Sequence, residues 1–196
     1  MADVIANMSM SLDGFVADPA DGVEHVFRWF GNGEVATPTA VEWATFMTSE
    51  ASAKVLRDAL AGVGALIAGR RLFDLAKGWG GTHPMGVPVF VVTHEEPADW
   101  PHPDAPFTFV TDGIESAVAQ AKAAAGDKIV AVASPTIAQQ CLNAGLLDGI
   151  QVDLVPVLLG SGIRFFDNLD ATVELTGPGI VEGSGVTHLS YRVQRS

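Results

Sequence analysis

The chain has 196 residues, 48% hydrophobic and 17% charged, with 23 acidic and 11 basic side chains for a formal net charge of −12. That composition excludes a disordered chain and supports a sizeable core, expected as one domain over residues 1–196. The negative field argues against nucleic acid and acidic membrane surfaces as partners. A single cysteine, Cys141, forbids an internal disulfide. No apolar run reaches the roughly 20 residues that span a bilayer. No basic leader precedes Asp3, so a cytoplasmic location is expected.

Val4–Met10 reads as a largely buried first strand that ends at Ser11-Leu12-Asp13-Gly14. Pro19–Gly33, with turn residues around Phe27, Trp29 and Phe30, is expected to be a loop. Val41, Ala44, Phe46, Met47, Ala51, Val55 and Ala59 recur at spacings of about three to four, which predicts a helix over Thr39–Leu60. Gly62–Gly64 stops it, Ala65–Ala68 is a short buried strand, and Gly69–Leu75 begins a short helix. Lys77–Pro88 holds Trp79 and His83 among glycines and prolines and is a candidate lid. Val89–Thr93 and Phe107–Val110 are strands, followed by an alanine-rich helix over Ile114–Ala125. Lys128–Ala133 and Pro135–Ala144 form a strand–helix unit, and Ile150–Leu159 is a longer strand ending in Gly160-Ser161-Gly162. Ala171–Val181 and Val186–Gln194 alternate about Gly183 and Gly185 as an antiparallel hairpin. Strands alternating with helices before a terminal hairpin predict an α/β fold, a parallel sheet with antiparallel edge strands.

Several places carry chemistry. At Val132-Ala133-Ser134-Pro135 a β-branched run stops abruptly at a helix start, with Ser134 as N-cap and Pro135 in the first helical position. Such a start leaves backbone N–H groups and a positive dipole end at the sheet's C-terminal edge, where a phosphate binds. The alternative is an ordinary capped helix. Gly69-Arg70-Arg71 ends another strand. Its guanidiniums can fork phosphate oxygens, or be two solvated arginines, one paired with Asp74. In Pro156–Gly162 the glycines permit close approach of a ligand or make a plain turn. Asp13, just past a buried strand, can relay a proton or hold a polar substrate, or simply form an Asp-Gly turn. His25, His83, His94, His102 and His188 lack metal-ligand spacing, so no metal is predicted. Gly-x-Ser-x-Gly, Walker and Gly-x-Gly-x-x-Gly signatures are missing, which argues against hydrolase, phosphate-transfer and standard dinucleotide-fold readings. Trp79, amid glycines, is a pocket candidate, whereas Trp29 and Trp43 read as anchors.

The order of these motifs is more telling than any one of them. Ser11-Leu12-Asp13-Gly14-Phe15, Ala68-Gly69-Arg70-Arg71-Leu72-Phe73-Asp74, Val91-Val92-Thr93-His94, the Ser134 helix and Pro156-Val157-Leu158-Leu159-Gly160-Ser161-Gly162-Ile163-Arg164-Phe165-Phe166 follow in one line. The chain resembles, over nearly its whole length, the dihydrofolate-reductase-like superfamily. Within that, it is similar to the C-terminal domain of the bacterial riboflavin-pathway deaminase–reductase. The resemblance implies a three-layer fold, with helices on both faces of a mostly parallel sheet and a C-terminal antiparallel hairpin. It implies a homodimer, NADPH as cofactor, and hydride transfer to a C=N or C=O bond of a small pterin- or pyrimidine-like substrate. Arg70 or Arg71 would meet the 2′-phosphate, and Thr93-His94 would lie beside the adenosine part. Ser134, Pro135, Thr136 and Ile137 would hold the pyrophosphate. Asp13, Gly14, Leu159, Gly160 and Gly162 would lie near nicotinamide and substrate, with Phe15 and Trp79 as pocket candidates. One departure matters: the family has two adjacent glycines where this chain has Ala133-Ser134. That leaves a non-catalytic binding protein, or a flavin-type cofactor, as alternatives on the same fold.

Overall fold

The structure is a computed structural model and describes residues 2–194. The first strand, β1 (Val4–Ser11), is followed by a short β2 (Phe15–Ala17), a helical turn α1 (Glu24–Phe27) and a 3-10 turn over Arg28–Gly31. A β3 (Val35–Pro38) and β4 (Thr45–Thr48) hairpin precedes α2 (Glu50–Gly62), β5 (Val63–Gly69) and α3 (Arg70–Leu75). Then come β6 (Val89–Val92), β7 (Phe107–Val110), α4 (Ile114–Ala125), β8 (Ile129–Val132) and α5 (Pro135–Asn143). The chain finishes with β9 (Gly149–Val155), β10 (Ile163–Arg164), β11 (Leu175–Gly183) and β12 (Val186–Val193).

Eight strands form the central sheet in the order β11-β12-β9-β1-β8-β5-β6-β7. β9, β1, β8, β5, β6 and β7 run parallel, while β12 pairs antiparallel with β9 and β11 with β12. The mostly parallel sheet and antiparallel C-terminal pair are the architecture expected from the sequence.

Strand alternation divides the core. Along β5, Ala65 and Ile67 join one apolar cluster while Leu66 and Ala68 join another, as a period of two requires. The first cluster takes Ile114, Ala117, Val118, Ala121 and Ala125 of α4 and Ile137, Ala138, Cys141 and Leu142 of α5. Those spacings set one helical stripe on the sheet. Phe73 of α3 belongs to the second cluster, and Trp29 with Val155 and Val186 forms a third, joined by Leu56 of α2. Helices therefore cover both faces.

Four expectations need correction. The helix predicted over Thr39–Leu60 is a β3–β4 hairpin followed by α2, which starts only after Ser49; Ser49 Oγ accepts the Ser52 N–H at 3.3 Å. Thr45-Phe46-Met47-Thr48 alternates as a strand, and Phe46 stacks on Phe30 at 4.3 Å. Pro19–Gly33 contains α1 and the 3-10 turn, with Trp29 buried and its indole donating to Ser9 Oγ at 3.0 Å. The strand predicted over Ile150–Leu159 ends at Val155, before Pro156, which has no N–H for a ladder. The hairpin strand predicted from Ala171 begins at Leu175.

Candidate active site

Parallel strands bring their C-terminal ends to one edge, so Asp13, Gly69-Arg70-Arg71, Thr93, Ser134 and Leu159-Gly160 emerge side by side from the tips of β1, β5, β6, β8 and β9. Hydrogen bonds join these tips. The Ser134 hydroxyl accepts the Gly69 N–H at 2.8 Å, tying β8 to β5. Asp13 accepts the N–H groups of Leu159 at 3.1 Å and Gly160 at 2.7 Å, tying β1 to the loop after β9, while Leu12 N–H donates to the Val157 carbonyl at 2.9 Å. Arg70 donates to the Glu95 carbonyl at 3.0 Å and to Thr93 Oγ1 at 3.4 Å, tying β5 to β6. His94 follows Thr93 and is exposed.

Ser134 occupies the N-cap position of α5, but its side chain caps nothing. Its hydroxyl is spent on Gly69, and Pro135 has no N–H to offer. The Thr136 and Ile137 N–H groups, in the first helical turn, therefore have no intrahelical partner and no cap. The Ile137 side chain itself is buried core. The expected capping role is replaced by one the sequence did not show: the serine holds two strand tips together.

Asp13 is equally committed. Besides the two backbone N–H groups it accepts the Ser11 hydroxyl at 2.6 Å. The Ser11 hydroxyl, with the Gly160 and Leu159 amides, lowers its pKa to about 2 against a smaller desolvation effect. At neutral pH it carries no proton to give. The geometry makes it the post that positions Leu159-Gly160.

Both arginines have found carboxylates. Arg70 Nε meets both oxygens of Asp74 at 2.9 and 3.0 Å. Arg71 forks Asp21 through Nε at 2.9 Å and Nη2 at 2.7 Å. Arg164, within a motif quoted above but not singled out there, differs. Its guanidinium lies 4.7 Å from the Phe15 ring centroid. Among the described residues it is the arginine with no ion pair and no hydrogen bond from its side chain. Its strand is braced by buried Gln139, whose amide donates to the Phe165 carbonyl at 3.0 Å, and by the Phe165 N–H on the Gly14 carbonyl at 3.1 Å.

Trp79 is not at this edge. It lies over the second cluster, stacked at 6.2 Å on Phe107, which pairs with Val89 at the starts of β7 and β6. The Lys77–Pro88 segment likewise contacts Ala40, whose N–H donates to the Pro84 carbonyl at 2.9 Å. Neither the expected pocket tryptophan nor the expected lid faces the strand tips, because this segment leads back to the start of β6.

A further array was invisible in the sequence. Ser52 Oγ lies 2.9 Å from His188 Nε2, and His188 Nδ1 lies 2.7 Å from Asp153 Oδ1. Ser52 is 1%, His188 6% and Asp153 8% exposed. A Cβ on Gly183 would fall on the Ser52 hydroxyl, so backbone seals it from ligand. It joins α2, β12 and β9 and is structural.

Features of the edge suit a phosphorylated ligand. The α5 start is uncapped; a Cβ on Gly160 would meet nothing within 4 Å, and one on Gly14 would meet only Arg164 Nη1 at 3.7 Å. Backbone N–H groups at open glycine-lined tips accommodate phosphate oxygens.

The RibD C-terminal domain family matches residues 2–188 of this chain. Comparison with curated proteins gave no match. A protein of Shewanella sp. PV-4, assigned provisionally to riboflavin biosynthesis, superposes with a TM-score of 0.74 at 21% identity, covering 100% of both chains. A diaminohydroxyphosphoribosylaminopyrimidine deaminase/5-amino-6-(5-phosphoribosylamino)uracil reductase of Thermotoga maritima superposes with a TM-score of 0.61 at 12% identity. That match covers 98% of this chain and 57% of the other, so this chain spans little more than half of that protein's length. At these identities the likeness is one of fold.

Proposed function

This chain belongs to the RibD C-terminal domain family, and from that we propose that it is an NADPH-dependent reductase acting on a C=N or C=O bond of a small pterin- or pyrimidine-like heterocycle. The observation that carries the proposal is the joined edge of five strand tips around the uncapped start of α5. The Thr136 and Ile137 N–H groups are the donors for the ligand's diphosphate. Arg70 beside Thr93 faces the adenosine end, with His94 next to it. Gly14 and Gly160 leave room for the two rings, and Asp13 fixes the Leu159-Gly160 backbone against which they lie. Arg164 and Phe15 border the same opening. NADPH, when bound, supplies the hydride. The protein orients the rings and excludes water. A homodimer belongs to the same reading.

The serine in place of glycine at the α5 start and the two neutralised arginines favour a second reading, a binding protein on this fold without turnover. Titration of the purified protein with NADPH, followed by nicotinamide fluorescence, tests the first. Saturable binding below millimolar is expected, and its absence contradicts the proposal. Mass spectrometry of co-purifying ligands separates the alternatives: a nicotinamide nucleotide, a flavin, or another small molecule.

A further inference from the structure

Arg71 and Asp21 are 50 residues apart, and their fork–fork pair joins the turn after β2 to the start of α3. β2 continues from the tip of β1, and α3 from the tip of β5. In the sheet, β8 lies between those two strands. The pair thus links the segments flanking the β8 tip, from which α5 starts. We propose that Asp21 is an internal competitor for a ligand phosphate: its carboxylate fills the Arg71 fork until a phosphate takes that fork, and the Asp18–Gly22 turn is then released. This rests on the reading of the strand-tip edge as a phosphorylated-cofactor site.

The four groups Arg70, Asp74, Arg71 and Asp21 carry no net formal charge together, so an anion meets an already neutralised site. One carboxylate must leave for either guanidinium to fork phosphate. Asp74 is the poorer candidate, since it is four residues from Arg70 on the same helix and Arg70 is also held by the Glu95 carbonyl. Asp21 can leave. It sits at φ +67° in a turn that keeps its own hydrogen bonds without Arg71. Asp18 Oδ1 accepts the N–H groups of Ala20 at 2.7 Å and Gly22 at 2.9 Å, and Asp18 N–H donates to the Gly22 carbonyl at 2.9 Å. Arg71 is 68% and Asp21 18% exposed, so the guanidinium side of the fork is open to solvent and a doubly charged phosphate can reach it and compete with the singly charged carboxylate.

The test uses Asp21→Asn, which removes the charge while keeping a residue that tolerates positive φ. Calorimetric titrations compare wild type and variant with NADPH and with NADH. Hydrogen exchange at residues 18–22 is followed with NADPH and, separately, with inorganic pyrophosphate. The variant is expected to bind NADPH roughly two- to fivefold more tightly. Exchange at residues 18–22 of the wild type should rise on addition of either phosphate compound, and much less in the variant. Tightening for NADPH alone assigns the fork to the 2′-phosphate; equal tightening for NADH assigns it to the pyrophosphate. Unchanged or weaker NADPH binding by the variant overturns the proposal while leaving the reductase reading intact. If neither cofactor binds either protein, the reductase reading fails. The pyrophosphate arm then decides alone: rising exchange at 18–22 upholds the competition, and unchanged exchange overturns it.

Discussion

Ser134→Ala is the substitution with the most informative consequences. The residue is 3% exposed, and its hydroxyl is the acceptor, at 2.8 Å, for the N–H of Gly69, which is also buried. Deleting the hydroxyl leaves that donor without a partner, at a cost of about 1–3 kcal/mol. No capping energy is lost with it, since the side chain makes no cap bond. For a chain of this size 2 kcal/mol lowers Tm by about 4–8 °C. Urea unfolding gives the energy, and residue-resolved hydrogen exchange identifies the bond. The Gly69 amide should exchange faster in the variant, while the Thr136 and Ile137 amides, already uncapped, should not change. Ser134→Thr, which keeps the hydroxyl, should recover most of the loss. A cost below about 0.5 kcal/mol, or faster exchange at Thr136 and Ile137 instead of Gly69, would return Ser134 to a plain N-cap.

Other expectations come from single groups. Asp13 titrates at about 2 in the folded protein against an ordinary 3.8. Its contribution is complete above pH 3.8 and lost as the pH falls through 2. The gap in urea midpoint between wild type and Asp13→Asn should therefore close over that window; a gap independent of pH would contradict the assignment. His83 accepts the Met85 N–H at Nδ1 (3.2 Å), and burial lowers its pKa from 6.5 to about 4. The unfolded chain then binds the extra proton first, so acidification from pH 6.5 to 4 should destabilise the protein by up to about 3 kcal/mol. His83→Asn, which retains an acceptor but does not titrate, should flatten that slope, and an unaltered slope would count against it. His188→Ala strips the buried Asp153 carboxyl of its 2.7 Å partner. A loss of about 3 kcal/mol or more is expected in urea unfolding, and a loss under 1 kcal/mol would show that the array does not tie α2 to β9 and β12.

The parallel strands were legible because Val130-Ala131-Val132 and Val89-Phe90-Val91 are buried on both faces and read as unbroken apolar runs. α4 was legible because its alanines keep one helical stripe. The β3–β4 hairpin was not. The spacing of three from Val41 to Ala44 to Met47 arises equally from a turn and a strand, and Phe46 is placed by Phe30, far upstream. The strand tips could be located from turn residues alone, but their hydrogen bonds could not. Ser134 finds Gly69 across 65 residues, Arg71 finds Asp21 across 50, and Ser52 reaches His188 across 136. Local spacing carries no record of such partners. Arg164 stood in the Leu-Gly-Ser-Gly-Ile-Arg segment in plain view. What sets it apart among the described residues is a guanidinium with neither an ion pair nor a hydrogen bond, which only the fold reveals.

The most direct measurement is a crystal structure of the protein grown with NADP. The diphosphate is expected against the Thr136 and Ile137 N–H groups, with the nicotinamide between Gly14 and Leu159-Gly160. A dinucleotide bound away from these strand tips, or a flavin in their place, would contradict that expectation.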